Sequence, residues 1–450
     1  MGKKWDIPFI ICTAAAFTVL GVLLMFFTGL TASNIITLAC ITILSIGFSR
    51  YVSYRSTLLT AAITVFTILL GTGVILNAWF FTTYLGGSPE YPVLINIDSH
   101  RWWNAAVNIL DPNEGTEIPQ FFGYYAHILA AVLFVLGKSV GSALIFSMVL
   151  ILASLFVTGY VTDRLTQNRS ITAISVICLG LVCYWLSMGT LILKDAFIIL
   201  AFAIGTLGMV SKERGFIIAI IMAAVMLFVT RRQYLWLLIF EVLIVYSNKK
   251  NLLVSLIAIG LCISLWAFHG ENLLDYFYNY STDGDNYGFT STQHLAYYNA
   301  IGSYIELPFF KKLLLYPVLA GVQFLIPFSW TFARDIPFGL TQAWAHFGYP
   351  WYLFGFVFCY FLISKRKMFR TPLYRLSIAA LVCWLVPCYA TGGTVSRYAL
   401  PFVALMAPAV AYTLYRNVRN RRFYILTGCY AVVLAIILIV AHHLQTAAMS

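Results

Sequence analysis

The sequence predicts an all-α membrane protein, a polytopic bundle of about 11–14 transmembrane helices that forms one integral membrane domain over residues 1–450. Of the residues, 61% are hydrophobic and only 10% are charged, and the mean hydropathy is +0.87. A soluble domain is about 45–50% apolar. Here the excess lies in runs long enough to cross a bilayer, which takes roughly 17–25 residues.

Basic clusters set the expected orientation, because cytoplasmic loops carry an excess of Lys and Arg. The formal net charge of +12 is explained in this way. Nucleic-acid binding is not expected, since no soluble domain carries a basic face. The first apolar run is expected to be an uncleaved helix, with the N-terminus inside. The clusters are Lys3/Lys4, Arg50/Arg55, Arg164/Arg169, Lys212/Arg214, Lys249/Lys250, Lys365/Arg366/Lys367/Arg370 and Arg416/Arg419/Arg421/Arg422.

Helices threaded between these clusters fall in apolar runs whose ends are set by charges, Gly and Pro. They are expected near 7–29, 34–49, 57–82, 140–162, 171–188, 196–211, 215–230, 233–247, 251–268, 341–363, 374–391, 400–415 and 423–442.

Two long segments, about 83–139 and about 269–340, are then extracytoplasmic loops. Each contains an apolar piece, 121–136 and 313–328. If both pieces crossed fully, the later basic clusters would face the wrong side. We therefore expect them to be helices lying along or dipping into the outer leaflet, with the loop aromatic residues serving mainly as interfacial anchors.

The nine cysteines include no CxxC pair, which argues against a disulfide framework or a zinc site. They are expected to be small core residues. No metal ligand set and no certain cofactor are predicted. A divalent cation could bind the carboxylate oxygens of an acidic site.

The first candidate cluster is Asp98, His100, Arg101 and Trp102 in a polar stretch of the first outer loop. If 97–110 is a short helix, Asp98, Arg101 and Trp102 share one face at i, i+3 and i+4. An acid between a His and an Arg at a membrane surface is a candidate base. The alternative is a helix cap, with Asp98 at the N-cap and Arg101 as its surface partner.

The second cluster is Lys194 and Asp195 at the outer mouth of a helix. The cation suits a lipid phosphate, and the acid suits an acceptor or a cation. The alternative is an acid favoured by the helix dipole beside a snorkelling lysine.

Arginines form the remaining outer clusters, because their forks match phosphate oxygens. Arg231 and Arg232 precede Tyr234, and Arg397 precedes Tyr398. The alternatives are a shifted topology that makes the first pair cytoplasmic, and an ordinary turn with a snorkelling arginine for the second. Glu241, inside an expected helix, is costly there unless it is paired.

The order of these motifs resembles the GT-C superfamily of membrane glycosyltransferases, which includes the protein O-mannosyltransferases and the bacterial aminoarabinose transferases of lipid A. Asp-Ser-x-Arg-Trp-x-x-Ala at 98–105 is followed by Phe-Phe-Gly-Tyr-Tyr at 121–125, by Lys-Asp at 194–195 and by a late Arg-Tyr-x-x-Pro at 397–401. This chain has Arg-Trp where the relatives have Arg-Tyr after the first acid, and three expected helices precede it.

The resemblance implies a multi-pass protein of the bacterial inner membrane that moves a sugar from a polyprenyl-phosphate carrier to a glycan, lipid or protein acceptor outside. It implies that Asp98 is the catalytic base and that Asp195 is a second acidic residue of the catalytic site. His100, Arg101, Trp102, Lys194, Arg231, Arg232, Tyr234, Arg397 and Tyr398 would bind substrate. An O-antigen-type polysaccharide polymerase and a lipid-linked oligosaccharide flippase, or another transporter, are the alternatives.

Overall fold

A computed structural model describes residues 97–111, 124–180, 182, 189, 191–211, 216–231, 234–246, 349–390 and 400–447, together with Ala39. Within these ranges the side chains of residues 97, 98, 100, 216, 349–351, 386–390 and 437–447 lie outside the description. The expected helices 7–29, 34–49, 57–82 and 251–268 and the apolar piece 313–328 also fall outside the described residues.

The described part of the chain is all-α, as the sequence predicts, and contains no strand. Its helices are α1 (Ile97–Leu110), α2 (Tyr125–Leu136), α3 (Val140–Thr166), α4 (Arg169–Gly180), α5 (Lys194–Val210), α6 (Phe216–Thr230), α7 (Tyr234–Tyr246), α8 (Tyr349–Ser364), α9 (Pro372–Ala390), α10 (Val403–Arg416) and α11 (Arg421–Ala447). A 3₁₀ turn, Arg366–Met368, joins α8 to α9.

Among the described residues, one helix is both long and apolar enough to cross a membrane. It is α3, whose most apolar window has a mean hydropathy of 2.5 and is 78% buried inside the protein. Apolar helices of 10–17 residues accompany it. The core helix of a soluble protein can have the same length and hydropathy.

Helices α5, α6 and α7 form an up-down-up unit held together at Gly205. A Cβ atom on Gly205 would lie 2.7 Å from Cδ1 of Leu238 in α7 and 3.3 Å from Cβ of Ala223 in α6. Small residues at such a point let helix backbones approach closely. The sequence therefore fixes the register of all three helices at this position.

A side chain at Gly205 is expected to destabilise the fold. Gly205→Val should lower the free energy of unfolding by about 1–3 kcal/mol, the usual cost of overpacking. Gly428→Val in α11 is the matched control, because nothing lies within 4 Å of a Cβ atom there. Thermal unfolding of the purified protein measures both. Equal behaviour of the two variants would contradict the close approach at Gly205.

Contacts between helices place the basic clusters at one end of the bundle. Helix α4 runs antiparallel to α3, since Thr162 donates a hydrogen bond to the Ser175 hydroxyl at 2.9 Å. Arg375 donates to the Val245 carbonyl at the end of α7. The rings of Phe361 and Tyr412 lie 6.1 Å apart near the ends of α8 and α10. The described residues at this basic end are Arg164, Arg169, Lys365, Arg366, Lys367, Arg370, Arg375, Arg416, Arg419, Arg421 and Arg422, with Asp163 as the acid among them.

The opposite end carries a more balanced set of charges. Helices α3 and α5 both start there, because the rings of Phe146 and Phe197 are 6.3 Å apart. The Lys138 ammonium lies 3.7 Å from the Asp111 carboxylate just before α3. This end also holds Lys194 and Asp195, which begin α5. We call it the site end.

Candidate functional site

Helix α1 begins at Ile97, so Asp98 lies in its first turn and not at the N-cap. The interpretation of Asp98 as an N-cap acid is therefore wrong. The side chains of Asp98 and His100 lie outside the described residues. Arg101, half-buried, and Trp102, buried, follow within the next turn.

Aromatic residues near the starts of α1 and α2 are buried and pack against each other. Trp102 is 4% exposed and Tyr125 is fully buried. Their ring centroids are 5.1 Å apart with the planes nearly perpendicular, an edge-to-face pair. Trp103 is 8% exposed. The expectation that these residues are interfacial anchors is wrong, because α1 packs onto α2 through this face.

Lys194 joins the first predicted cluster to the second. Its ammonium lies 5.0 Å from the centroid of the Trp102 ring, within the range of a cation–π interaction. Lys194 is half-buried. The start of α5 and the first turns of α1, more than 90 residues apart in sequence, therefore meet at the site end.

Asp195 is a buried acid, 2% exposed, in the first turn of α5. Within the described chain no hydrogen bond or ion pair involves its side chain. The positive end of the helix dipole offsets only part of the cost of burying a carboxylate. A buried carboxylate without a partner is a candidate for a group that acts on a ligand.

Hydroxyl groups line the surroundings of Asp195. Burial raises the pKa of the Tyr125 hydroxyl, the Asp195 carboxylate raises it further, and Ser147 of α3 lowers it. Neither Tyr125 nor Ser147 has a hydrogen-bond partner of normal geometry, and the same holds for the buried Ser99 of α1. We call Tyr125, Ser147 and Asp195 the buried polar group. Because a neutral phenol donates and a carboxylate accepts, the group can bind a hydroxyl of a ligand from both sides.

Arg231 lies at the same end of the bundle. Gly205 faces Ala223 in the antiparallel pair of α5 and α6. Counting eight residues from each places Arg231 at the level of Phe197, near the start of α5. The Arg231 guanidinium carbon is 5.4 Å from the centroid of the Tyr234 ring. Arg231 is thus not at the basic end, and Arg232 falls outside the described residues.

Tyr234 connects this region to the start of α10. Its ring lies 6.0 Å from Phe202 and 6.2 Å from Phe402, and the last two rings are 4.7 Å apart. The chain before Phe402 therefore reaches the bundle at the site end. Arg397 and Tyr398 belong to the segment that precedes it and lie outside the described residues.

Glu241 lies away from this site. It is fully buried in α7, and the Thr206 hydroxyl lies 2.7 Å from its Oε1 and 2.8 Å from the Phe202 carbonyl. The Thr206 hydroxyl donates to the Glu241 carboxyl group and shares its hydrogen with the Phe202 carbonyl, a three-centre bond that links α5 to α7. Thr206 is 11 residues after Asp195, roughly 16 Å along the helix at 1.5 Å per residue.

The sequence did not identify the buried polar group as part of the site. Tyr125 stands in an aromatic run that favours an interfacial anchor, and Ser147 is one of several hydroxyl residues spread along α3. No sequence signal separates Ser147 from the other serines and threonines of that helix. Among the described residues no three His, Cys, Asp or Glu side chains are grouped as for a metal ion.

The chain matches no model of a known protein family, no curated protein and no solved structure.

The buried carboxylate is expected to weaken the fold. Asp195→Asn keeps the shape and removes the cost of desolvating a buried charge, so it should raise the free energy of unfolding by about 1–3 kcal/mol. Asp111→Asn is the control, because its pair with Lys138 is solvent-exposed and worth about 0–1 kcal/mol. Thermal unfolding compares the two. A clear loss of stability in Asp195→Asn would contradict an unpartnered carboxylate.

Proposed function

We propose that this chain is a polytopic glycosyltransferase of the bacterial inner membrane, which moves a sugar from a polyprenyl-phosphate-linked donor to a glycan, lipid or protein acceptor. The reaction takes place at the extracytoplasmic face, at the site end. The observation that carries the proposal is the meeting of Lys194, Asp195 and Trp102 at the end opposite the basic clusters.

Exposed apolar side chains support membrane insertion. Large apolar residues on α6, α7 and α11 are about half exposed or more: Ile217, Ile218, Ile221, Met222, Val225, Trp236, Tyr424, Ile425, Leu426, Val432, Val433 and Ile436. Water penalises apolar faces of this extent, whereas lipid does not. Together with α3, whose length suits a bilayer, these faces favour a bundle surrounded by lipid.

The separation of charge supports the orientation. The basic end carries the described arginines and lysines at the turns that join α3 to α4, α8 to α9 and α10 to α11. By the positive-inside rule these turns are cytoplasmic. Lys194, Asp195 and Arg231 then lie at the outer surface, where a polyprenyl carrier presents its phosphate at headgroup level.

The proposed chemistry divides acid–base work from charge stabilisation. Asp98 removes the proton from the acceptor hydroxyl as its oxygen attacks the anomeric carbon. The bond from that carbon to the carrier phosphate breaks, and polyprenyl phosphate leaves. Lys194 and Arg231, with Arg232 and Arg397, stabilise the charge that grows on the leaving phosphate.

The remaining site residues position the two substrates. Asp195 and the Tyr125 hydroxyl orient the acceptor, or Asp195 holds a cation. Arg101 and Trp102 place the first turns of α1 against α5, and Tyr234 supports Arg231 through its ring. His100 and Tyr398 complete the substrate contacts in the proposal.

The orientation predicts which positions an impermeant reagent reaches. Cysteine at Asn104, exposed on α1, should react with an impermeant maleimide in intact cells. Cysteine at Ser170, exposed at the start of α4 at the basic end, should react only after lysis. Both are made in a background without the native cysteines. The reverse pattern would place the site end in the cytoplasm and remove the proposal.

Sugar transfer by the purified protein tests the chemistry. With synthetic polyprenyl-phosphate and polyprenyl-diphosphate sugars as donors, Asp98→Ala should lower the rate by about 10²–10⁴-fold, the usual contribution of a general base. Arg231→Ala should lower it about ten- to over a hundredfold, since a charged hydrogen bond contributes about 1.5–3 kcal/mol.

Matched controls separate this role from a general loss of charge. Asp111→Ala and Arg164→Ala should transfer at the unmodified rate, and Glu241→Gln should as well, because Glu241 lies away from the site. Unchanged rates in Asp98→Ala and Arg231→Ala would contradict the mechanism. A loss of transfer confined to Arg231→Ala, with diphosphate donors only, would favour a polymerase. An unmodified protein that transfers no sugar, but whose carrier transport is lost in Glu241→Gln, would favour a transporter.

A further inference from the structure

Two turns that are distant in sequence form one cationic surface at the basic end. The connection from α8 to α9 contributes Arg366, Lys367 and Arg370. The end of α10, the following turn and the start of α11 contribute Arg416, Arg419, Arg421 and Arg422. All of these side chains are exposed. We call them the basic patch.

Aromatic contacts hold the two turns beside each other. Phe361, near the end of α8, packs against Tyr412 of α10 at 6.1 Å, and Tyr360 packs against Phe423 of α11 at 5.0 Å. Each ring pair lies within two turns of helix from the basic patch. The cations are therefore held together by the fold and are not scattered along independent loops.

The second turn is rigidly built. Asn417 donates to the Thr413 carbonyl at 2.8 Å, Asn420 donates to the Asn417 side-chain oxygen at 2.9 Å, and the Asn420 side chain accepts from the Phe423 amide. This network fixes the backbone that carries Arg419, Arg421 and Arg422. A preformed surface loses less conformational entropy when it binds a ligand.

Within the described chain no acidic side chain forms an ion pair with the basic patch. Asp163, the acid that the structure describes at this end, interacts electrostatically with Arg164 and Arg169, which belong to a different turn. Arg416 lies 5.6 Å from the Tyr412 ring centroid. Like charges gathered on one surface repel each other, so the patch favours anions that can bridge several guanidinium groups.

Apolar side chains stand among the cations. Val418, between Arg416 and Arg419, is 56% exposed, and Tyr424, shortly after Arg422, is 53% exposed. Ile363, near the other turn, is 76% exposed. Cations interleaved with exposed apolar and aromatic residues are typical of a surface at the boundary between headgroups and acyl chains. An acidic protein or a nucleic acid would not require the apolar neighbours.

We propose that the basic patch binds the headgroup phosphates of anionic phospholipids in the inner leaflet, with Val418 and Tyr424 inserted between the lipids. The proposal rests on the membrane orientation of the proposed function but not on its chemistry, because the patch lies at the end opposite Asp195. Arginine forks take phosphate oxygens in pairs, and the two turns together offer enough donors for more than one phosphate.

Lipid-dependent thermal unfolding of the full chain in a neutral detergent tests the proposal. Phosphatidylglycerol should raise the unfolding midpoint in a saturable way, and phosphatidylcholine should not. In Arg421→Gln/Arg422→Gln and in Arg366→Gln/Lys367→Gln, the phosphatidylglycerol concentration for half of the effect should rise about thirtyfold, since each cation near an anionic headgroup contributes about fivefold in affinity and each variant removes two cations.

The control pair, Arg164→Gln/Arg169→Gln, removes the same charge from the same end and should respond like the unmodified protein. Equal losses in all three pairs would mean that the charge of the whole end attracts lipid and that the patch is not a site. No response of the unmodified protein to phosphatidylglycerol would also overturn the proposal, as would a response to a soluble polyanion such as heparin at least as large. None of these outcomes depends on sugar transfer.

Discussion

The cation–π contact between Lys194 and Trp102 joins the two parts of the site, and the rest of the site geometry depends on it. Trp102 belongs to α1, whose first turn carries Asp98, whereas Lys194 begins α5 and precedes Asp195. A half-buried contact of this type contributes about 0.5–2 kcal/mol. Through it, the acid proposed as base and the buried acid belong to one end of the bundle.

The helix register then brings the phosphate-binding candidates to the same end. Gly205 allows α5, α6 and α7 to approach closely, and the turn of α6 into α7 consequently places Arg231 level with the start of α5. Asp195 remains buried without a partner at a cost to stability. Such a cost is common where a group is kept ready for a ligand. At the other end the cations are exposed and gathered, which suits a surface that binds lipid.

The sequence predicted the positions of the helices well. The apolar runs near 140–162, 196–211, 215–230 and 233–247 correspond to α3, α5, α6 and α7 with ends shifted by a few residues. Long apolar runs bounded by charges leave few alternatives to helix. The sequence raised 97–110 only as a conditional helix, and the structure has a helix over these residues.

Tertiary contacts were beyond the sequence. Whether Tyr125 and Trp102 lie at an interface or in a core depends on which face of α1 packs on α2, and aromatic composition fits either position. The lack of a partner for Asp195, and the bond between Glu241 and Thr206, likewise depend on helix rotation. The number of helices between the basic clusters predicted Arg231 at the opposite end, and the pairing of α5 with α6 agrees with that position.

The central claim is that the polar residues of the site end form one phosphate-binding, sugar-transferring centre. An experimental structure with a polyprenyl phosphate bound tests it most directly. We expect the phosphate within hydrogen-bond reach of Lys194 and Arg231, and the carboxyl groups of Asp98 and Asp195 less than about 15 Å apart, a span that one sugar acceptor can bridge by hydrogen bonds. A site end without bound polyprenyl phosphate, or carboxyl groups farther apart than this, would contradict the shared centre.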